Sequence, residues 1–146
     1  MIEEKLFQDF KTALKTGNTI KRDTIQQIRA SVLLAKKNNS ELSDRDIEDI
    51  IMKERSKRLE AIMQFERAQR ADLVEKTNKE LLYINEYLPQ MMTDIELADG
   101  VRVILAREGV TEIKFLGYII KKCKEEFGNR ATGARISAEV KKQMGV

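Results

Sequence analysis

The sequence predicts an all-α, multihelical protein: a four-helix N-terminal bundle over residues 1–90 and a small three-helix C-terminal bundle over residues 91–146. Three observations predict it. Proline occurs once and glycine seven times in 146 residues while 35% are charged, and Leu, Ile, Ala, Glu, Lys and Arg dominate, a composition of helices rather than strands. Apolar residues recur at helical spacing almost throughout. Capping residues and helix breakers punctuate that periodicity.

Ile2, Leu6, Phe7, Phe10, Ala13 and Leu14 mark a first helix, stopped near Gly17-Asn18, a pair suited to a left-handed cap. A second runs from about Arg22 to Lys37 with Ile25, Ile28, Val32, Leu33 and Ala35 inward, and ends at Asn38-Asn39-Ser40. Ser43 is a good N-cap for the third, and Asp44 and Asp46 suit the positive end of its dipole. That helix is expected to reach about Ala71 on a stripe of Ile47, Ile50, Ile51, Ile62, Phe65 and Ala68. No heptad is sustained along it, so a coiled coil is not indicated. Asp72 is read as the cap of a fourth helix carrying Leu73, Leu81, Leu82, Ile84 and Leu88, which must end before Pro89 because the residue preceding proline is pushed out of the α region. Thr93-Asp94-Ile95-Glu96 reads as a capping box that opens a new unit. Its helices run to about Glu108, stopped by Gly109, from about Lys114 to Phe127, stopped by Gly128-Asn129, and from Gly133 to about Met144.

Charge is informative by location. The net +3 is too small to imply a polyanion partner, but Lys114–Val146 carries eight cations against three anions. No apolar run approaches a membrane span, and the start MIEEKLFQDF is acidic where a signal peptide is basic, so a soluble, cytoplasmic protein without a membrane partner is expected. A single cysteine, Cys123, fits a reducing compartment. Histidine is absent, which removes Ser-His-Asp and Cys-His catalysis and the usual zinc sites. No metal or cofactor is expected.

Cys123 falls on the apolar stripe Leu116, Ile120, Cys123, Phe127, where a thiol behaves as a small hydrophobe, and nothing stands by to activate it. Glu54 and Arg58 interrupt the inward stripe of the third helix, four residues apart. Either they form a structural ion pair inside the N-terminal bundle, where burial demands full hydrogen bonding, or they mark a surface that meets a partner. The basic end carries the clearest functional signal. At 100° per residue, Lys114, Tyr118, Lys121 and Lys122 lie opposite the apolar stripe, the composition of a surface that stacks a base and neutralises phosphates. The loop Gly128–Gly133 leads directly into a helix beside Arg130 and Arg135, so its amides suit a phosphate. Gly133 and, further along that helix, Lys142 complete the candidate nucleic-acid surface.

Arg70-x-Asp72-Leu73, followed by a helix and then Tyr87-Leu88-Pro89, resembles the middle of the GatB/YqeY family. That family comprises small stand-alone proteins and the tail domain of the B subunit of the tRNA-dependent amidotransferase. Glu54 and Arg58 match its "E-x-x-x-R", and Arg29 matches its "L-R", which adds Arg29 to the structural ion-pair set. Lys114–Val146 is similar to the tail pattern, with Ala131-Thr132-Gly133 where "A-D-G" is usual. Gln69 stands where the family has the glycine of "A-G-R", and Thr77-Asn78 where it tends to be acidic.

The resemblance covers essentially the whole chain and implies two unlike helical bundles. It further implies a non-catalytic tRNA-binding accessory protein of aminoacylation or amidation, partnered by tRNA and by an aminoacyl-tRNA synthetase or amidotransferase component. A carbon–nitrogen ligase activity with glutamine as amide donor would be inherited from the family name, since neither a nucleotide site nor an ammonia source is visible. The alternative is a helical protein-interaction adaptor that binds no nucleic acid.

Overall fold

The computed structural model describes all residues, Met1–Val146, and the chain is all-α with seven helices and no strand. They are α1 (Ile2–Thr16), α2 (Thr19–Lys36), α3 (Asp44–Arg67), α4 (Ala71–Asn85), α5 (Asp94–Glu108), α6 (Leu116–Phe127) and α7 (Gly133–Met144), with single 3-10 turns at Ile113–Phe115 and Gly128–Arg130. The chain forms two compact units, Met1–Leu88 and Pro89–Val146.

In the first unit α1 packs along α2 and α3 along α4, while α2 also touches α3 and α4. Leu6, Ile25, Ile28, Val32, Ile47, Ile51, Ile84 and Tyr87 form the core. Full burial of an aliphatic side chain of this size stabilises by about 1.5–3 kcal/mol, so this cluster is what holds the helices together. The buried Tyr87 hydroxyl donates to the Asp9 carboxylate, which ties the end of the unit back to α1. Leu14, Leu33 and Leu82, which periodicity assigns to apolar stripes, are exposed. Their stripes are wider than the faces that neighbouring helices cover.

Local chemistry sets the ends. Gly17 takes φ 74° after α1. Asn18 then accepts the Lys21 amide and starts α2 at Thr19, three residues before the periodicity shows it. At α3 the Ser43 hydroxyl accepts the Asp46 amide and the Asp46 carboxylate accepts the Ser43 amide, a reciprocal capping box beyond the expected serine cap.

The α3–α4 break corrects two expectations. The third helix ends at Arg67 rather than near Ala71, and the N-cap of α4 is Arg70, without a side-chain cap, rather than Asp72. The Arg70 amide donates to the Phe65 carbonyl at 2.9 Å and the Gln69 amide to Glu66 at 3.1 Å, the paired bonds of a Schellman turn. Such a turn needs a left-handed residue, and Gln69 supplies it at φ 57°. Asp72 accepts from the Arg70 guanidinium at 3.1 Å through both oxygens. A side chain at left-handed φ costs roughly 1–2 kcal/mol, part of which glycine's greater freedom in the unfolded chain offsets. Gln69→Gly is therefore expected to raise stability by about 0.5–1 kcal/mol. A melting temperature unchanged or lowered in thermal unfolding would contradict that assignment of strain.

In the second unit α5, α6 and α7 pack pairwise around Leu97, Val101, Ile104, Ile119, Cys123, Phe127, Ile136 and Val140. Thr93 accepts the Glu96 amide, but Glu96 does not reach back to complete the box, because its carboxylate pairs with Arg130. No helix is long and apolar enough to cross a membrane.

Candidate functional site

The basic surface of the second unit is built on α6 and α7. Burial of Ile119, Cys123 and Phe127 against α5 and α7 fixes the rotation of α6. Tyr118 and Lys121 are therefore exposed, and Lys122 is half-buried with its ammonium 5.6 Å from the centre of the Tyr118 ring. The Tyr118 hydroxyl donates to Glu108 at 3.2 Å, which orients the ring. Lys114 lies in the 3-10 turn before α6, not on the helix face; its ammonium is 3.2 Å from Glu112 and 5.2 Å from the centre of the Phe115 ring.

The loop into α7 is arranged differently from the phosphate cradle that its sequence suggests. Thr132 caps α7 by accepting the Arg135 amide at 3.2 Å. The Arg135 guanidinium donates to the Met92 carbonyl at 2.9 Å and to Asp94 at 3.0 Å. Arg130 donates to Glu96 at 3.3 Å and lies 3.5 Å from the Gln90 carbonyl, while the Met92 amide donates to the Arg130 carbonyl at 2.7 Å. Both arginines thus hold the segment that leads into α5. Gly133 is exposed at the first turn of α7, against the Lys124 side chain, whose ammonium is 3.4 Å from where a Cβ would stand.

Within the second unit, every lysine but Lys114 lacks a carboxylate within ion-pair distance: Lys121, Lys122 and Lys124 on α6, and Lys141 and Lys142 on α7. Unneutralised charge is accordingly displaced from the loop onto these two helices. Residue spacing alone does not find this, since the partner carboxylates Glu96 and Asp94 lie more than thirty residues before their arginines.

In the first unit Glu54 and Arg58 are both buried and directly paired, Arg58 Nη1 to Glu54 Oε2 at 2.8 Å. Arg58 also donates to the Glu54 carbonyl at 3.2 Å, to Glu80 at 3.2 Å and to the Gln27 side-chain oxygen. Glu54 further accepts from Ser31 at 3.1 Å and Lys57 at 3.3 Å. Burial alone pushes the Glu54 carboxyl upward, but the hydrogen bonds from Arg58, Ser31 and Lys57 outweigh it and hold the group below its ordinary value. The cluster floors a groove lined by α2, α3 and α4 residues, with Lys57 and Lys76 along it. Arg29 does not belong to it. Its guanidinium lies 4.9 Å from the centre of the Phe7 ring and 5.0 Å from that of Phe10, a cation–π arrangement on α1 that removes it from the ion-pair set.

Cys123 has no exposure, and burial, with a contribution from Glu126 that Arg107 opposes, pushes its thiol up to about 11. A thiol so placed is protonated and shielded at neutral pH. No cluster of three or more His, Cys, Asp or Glu is placed to hold a metal ion.

A search of curated proteins finds no significant match to this chain. The family model described as Yqey-like protein matches residues 3–144. With the match spanning both units from α1 to α7, the chain belongs to the YqeY-like protein family.

Proposed function

We propose that this protein is a non-catalytic, tRNA-binding accessory of aminoacylation or amidation, and that its second unit grips the tRNA backbone. In this reading residues 1–90 are a four-helix bundle and residues 91–146 a three-helix domain related to the tail of the tRNA-dependent amidotransferase. The observation that carries it is the group of five unpaired lysines on α6 and α7 beside the exposed Tyr118. Lys121, Lys122 and Lys142 are the main phosphate contacts, and Lys114, Arg130 and Arg135 contribute less because each faces a carboxylate. A synthetase or amidotransferase component is the protein partner that suits such a role. Catalysis is not part of the reading: Cys123 is core filler, and a carbon–nitrogen ligase assignment would be inherited from the family name.

A second reading, the protein-interaction adaptor, has one observation in its favour. The groove between α1 and α2 is lined by Phe7 and Leu33, which are 44% and 66% exposed. Salt dependence separates the two, because phosphate contacts release counterions and a helix in an apolar groove does not.

Titration with tRNA at several salt concentrations is expected to show binding in the micromolar range or weaker, with little preference among tRNAs. Three to five phosphate contacts give a log–log salt slope of roughly −2 to −5. Replacing Lys121 and Lys122 together by alanine is expected to flatten the slope by about 2 units with little change in stability, as neither ammonium has a carboxylate partner and Lys122 meets only the exposed Tyr118 ring. If the wild-type protein fails to bind tRNA even at low salt, the adaptor reading replaces this one.

A further inference from the structure

The segment between α5 and α6 encloses a depression of about 420 Å³ lined by Glu108, Val110, Thr111, Glu112, Phe115 and Tyr118, together with Gly109. Its two aromatic rings are 41% and 45% exposed, stand one helical turn apart and belong to no core cluster. Glu108, which accepts from the Tyr118 hydroxyl at 3.2 Å and lies 3.7 Å from the Arg107 guanidinium, and Glu112, 3.2 Å from the Lys114 ammonium, supply carboxylate oxygens with acceptor capacity to spare, and neither glutamate is buried. Lys114 and Lys122 lie over the two rings, at 5.2 and 5.6 Å from their centres, so a base that stacks on those faces displaces the two exposed ammoniums toward its phosphates. Nothing in the spacing of Phe115, Glu108 and Glu112 along the chain singles them out.

These groups ask for a flat π system that carries N–H donors and is attached to an anion. Rings of this exposure gain by stacking on an unstacked base, and carboxylates accept from an exocyclic amino group, and in guanine from the adjacent ring N–H as well. Lysines beside the rings and next along α6 suit the attached phosphates. A cationic side chain is the competing ligand, since aromatic rings with carboxylates also attract cations. It is disfavoured because lysine ammoniums already stand over both rings, so a further cation would meet like charge.

We propose that the depression formed by Phe115, Tyr118, Glu108 and Glu112 takes a single unpaired nucleobase bearing an amino group, so that the protein recognises an unstacked position in a folded RNA as well as its backbone. This rests on the nucleic-acid reading above. It adds a base-recognition site to what would otherwise be phosphate contact alone.

The test uses the full chain with short single-stranded RNAs and an RNA carrying one 2-aminopurine, whose fluorescence is quenched when the base stacks. Oligonucleotides of adenine, cytosine or guanine are expected to bind about tenfold more tightly than oligouridine, which has no amino group. Phe115→Ala and Tyr118→Ala are each expected to weaken single-strand binding by roughly 5- to 100-fold, in line with stacking of one base, and to abolish the 2-aminopurine quench. Lys121→Ala with Lys122→Ala should instead lower affinity while leaving the quench intact in whatever complex forms. Glu108→Gln, which exchanges one of the two carboxylates for an amide, should narrow the preference for amino-bearing bases over uracil. Both aromatic residues lie outside the core, and unchanged thermal unfolding of their variants confirms that the fold is retained. If tRNA binding and its salt slope persist but the aromatic variants neither weaken binding nor lose the quench, this inference fails and the backbone-binding reading stands. Absence of any RNA binding overturns both. Binding of an oligolysine peptide that requires Phe115 and Tyr118, in place of RNA, overturns the inference in favour of a cationic ligand.

Discussion

Replacing Arg58 by alanine is expected to destabilise the protein by about 3–5 kcal/mol, far beyond the effect of an ordinary surface substitution. The substitution removes four hydrogen-bonding partners at once: the Glu54 carboxylate and carbonyl, Glu80 and Gln27. Most of the loss comes from what is left behind, since Glu54 remains buried with only Ser31 and the exposed Lys57 to solvate it. Lys57→Ala provides the control. Its side chain is 71% exposed, and removing a surface partner costs about 0.5 kcal/mol or less. Acid should mimic the arginine deletion from the other side. Because the Glu54 carboxyl is held below its ordinary value of 4.5, its contribution is fully present above that pH and is lost as pH falls through the lower folded-state value. Urea unfolding of the wild type and both variants from pH 7 down to pH 3 checks this. An Arg58→Ala cost below about 0.5 kcal/mol would mean that the pair is dispensable to the first unit and would favour a partner-binding role.

What the sequence made legible is instructive at this cluster. Two charges on an apolar stripe, four residues apart, are visible in one helix, and either buried pairing or a partner surface follows from them. Gln27, Ser31 and Glu80, which decide whether such a pair is tolerable, come from α2 and α4, and nothing local marks them. Arg29 illustrates the reverse error. It matches a family position and carries the right charge, yet its neighbours are the Phe7 and Phe10 rings, because the side of α2 that carries it meets α1.

The basic surface was legible in sign and misplaced in detail for the same reason. Counting charges over Lys114–Val146 treats every cation as available, whereas Arg130 and Arg135 are neutralised by carboxylates in the first turn of α5. Helix caps, by contrast, are short-range chemistry. Gly17, Ser43, Thr93 and Gly109 all sit at helix ends in the structure. The exception is Gln69, where a residue type that rarely takes left-handed φ concealed the break between α3 and α4.

Gly100→Ala is expected to destabilise the second unit by up to about 2 kcal/mol, although the local rule predicts the opposite sign. Gly100 lies within α5, and an alanine in a helix interior is favoured over glycine by about 1 kcal/mol. Packing reverses this. A Cβ at that position would stand 2.8 and 2.9 Å from Cζ and Cε1 of Phe127 and 3.5 Å from Met92 Cε. Phe127 is nearly buried among Met92, Val101, Ile104 and Cys123, and its ring is rigid, so it cannot yield without displacing the core. Overpacking of this kind costs about 1–3 kcal/mol, and added bulk beyond alanine should cost more. The diagnosis depends on the ring, which gives it a sharp check. In a Phe127→Leu background the clash is gone and the same Gly100→Ala substitution should become neutral or stabilising, a coupling of about 1–3 kcal/mol between the two positions. Urea unfolding of the four proteins in this cycle measures it. If Gly100→Ala stabilises the wild-type chain, the close approach of α5 to Phe127 is not what holds glycine at this position.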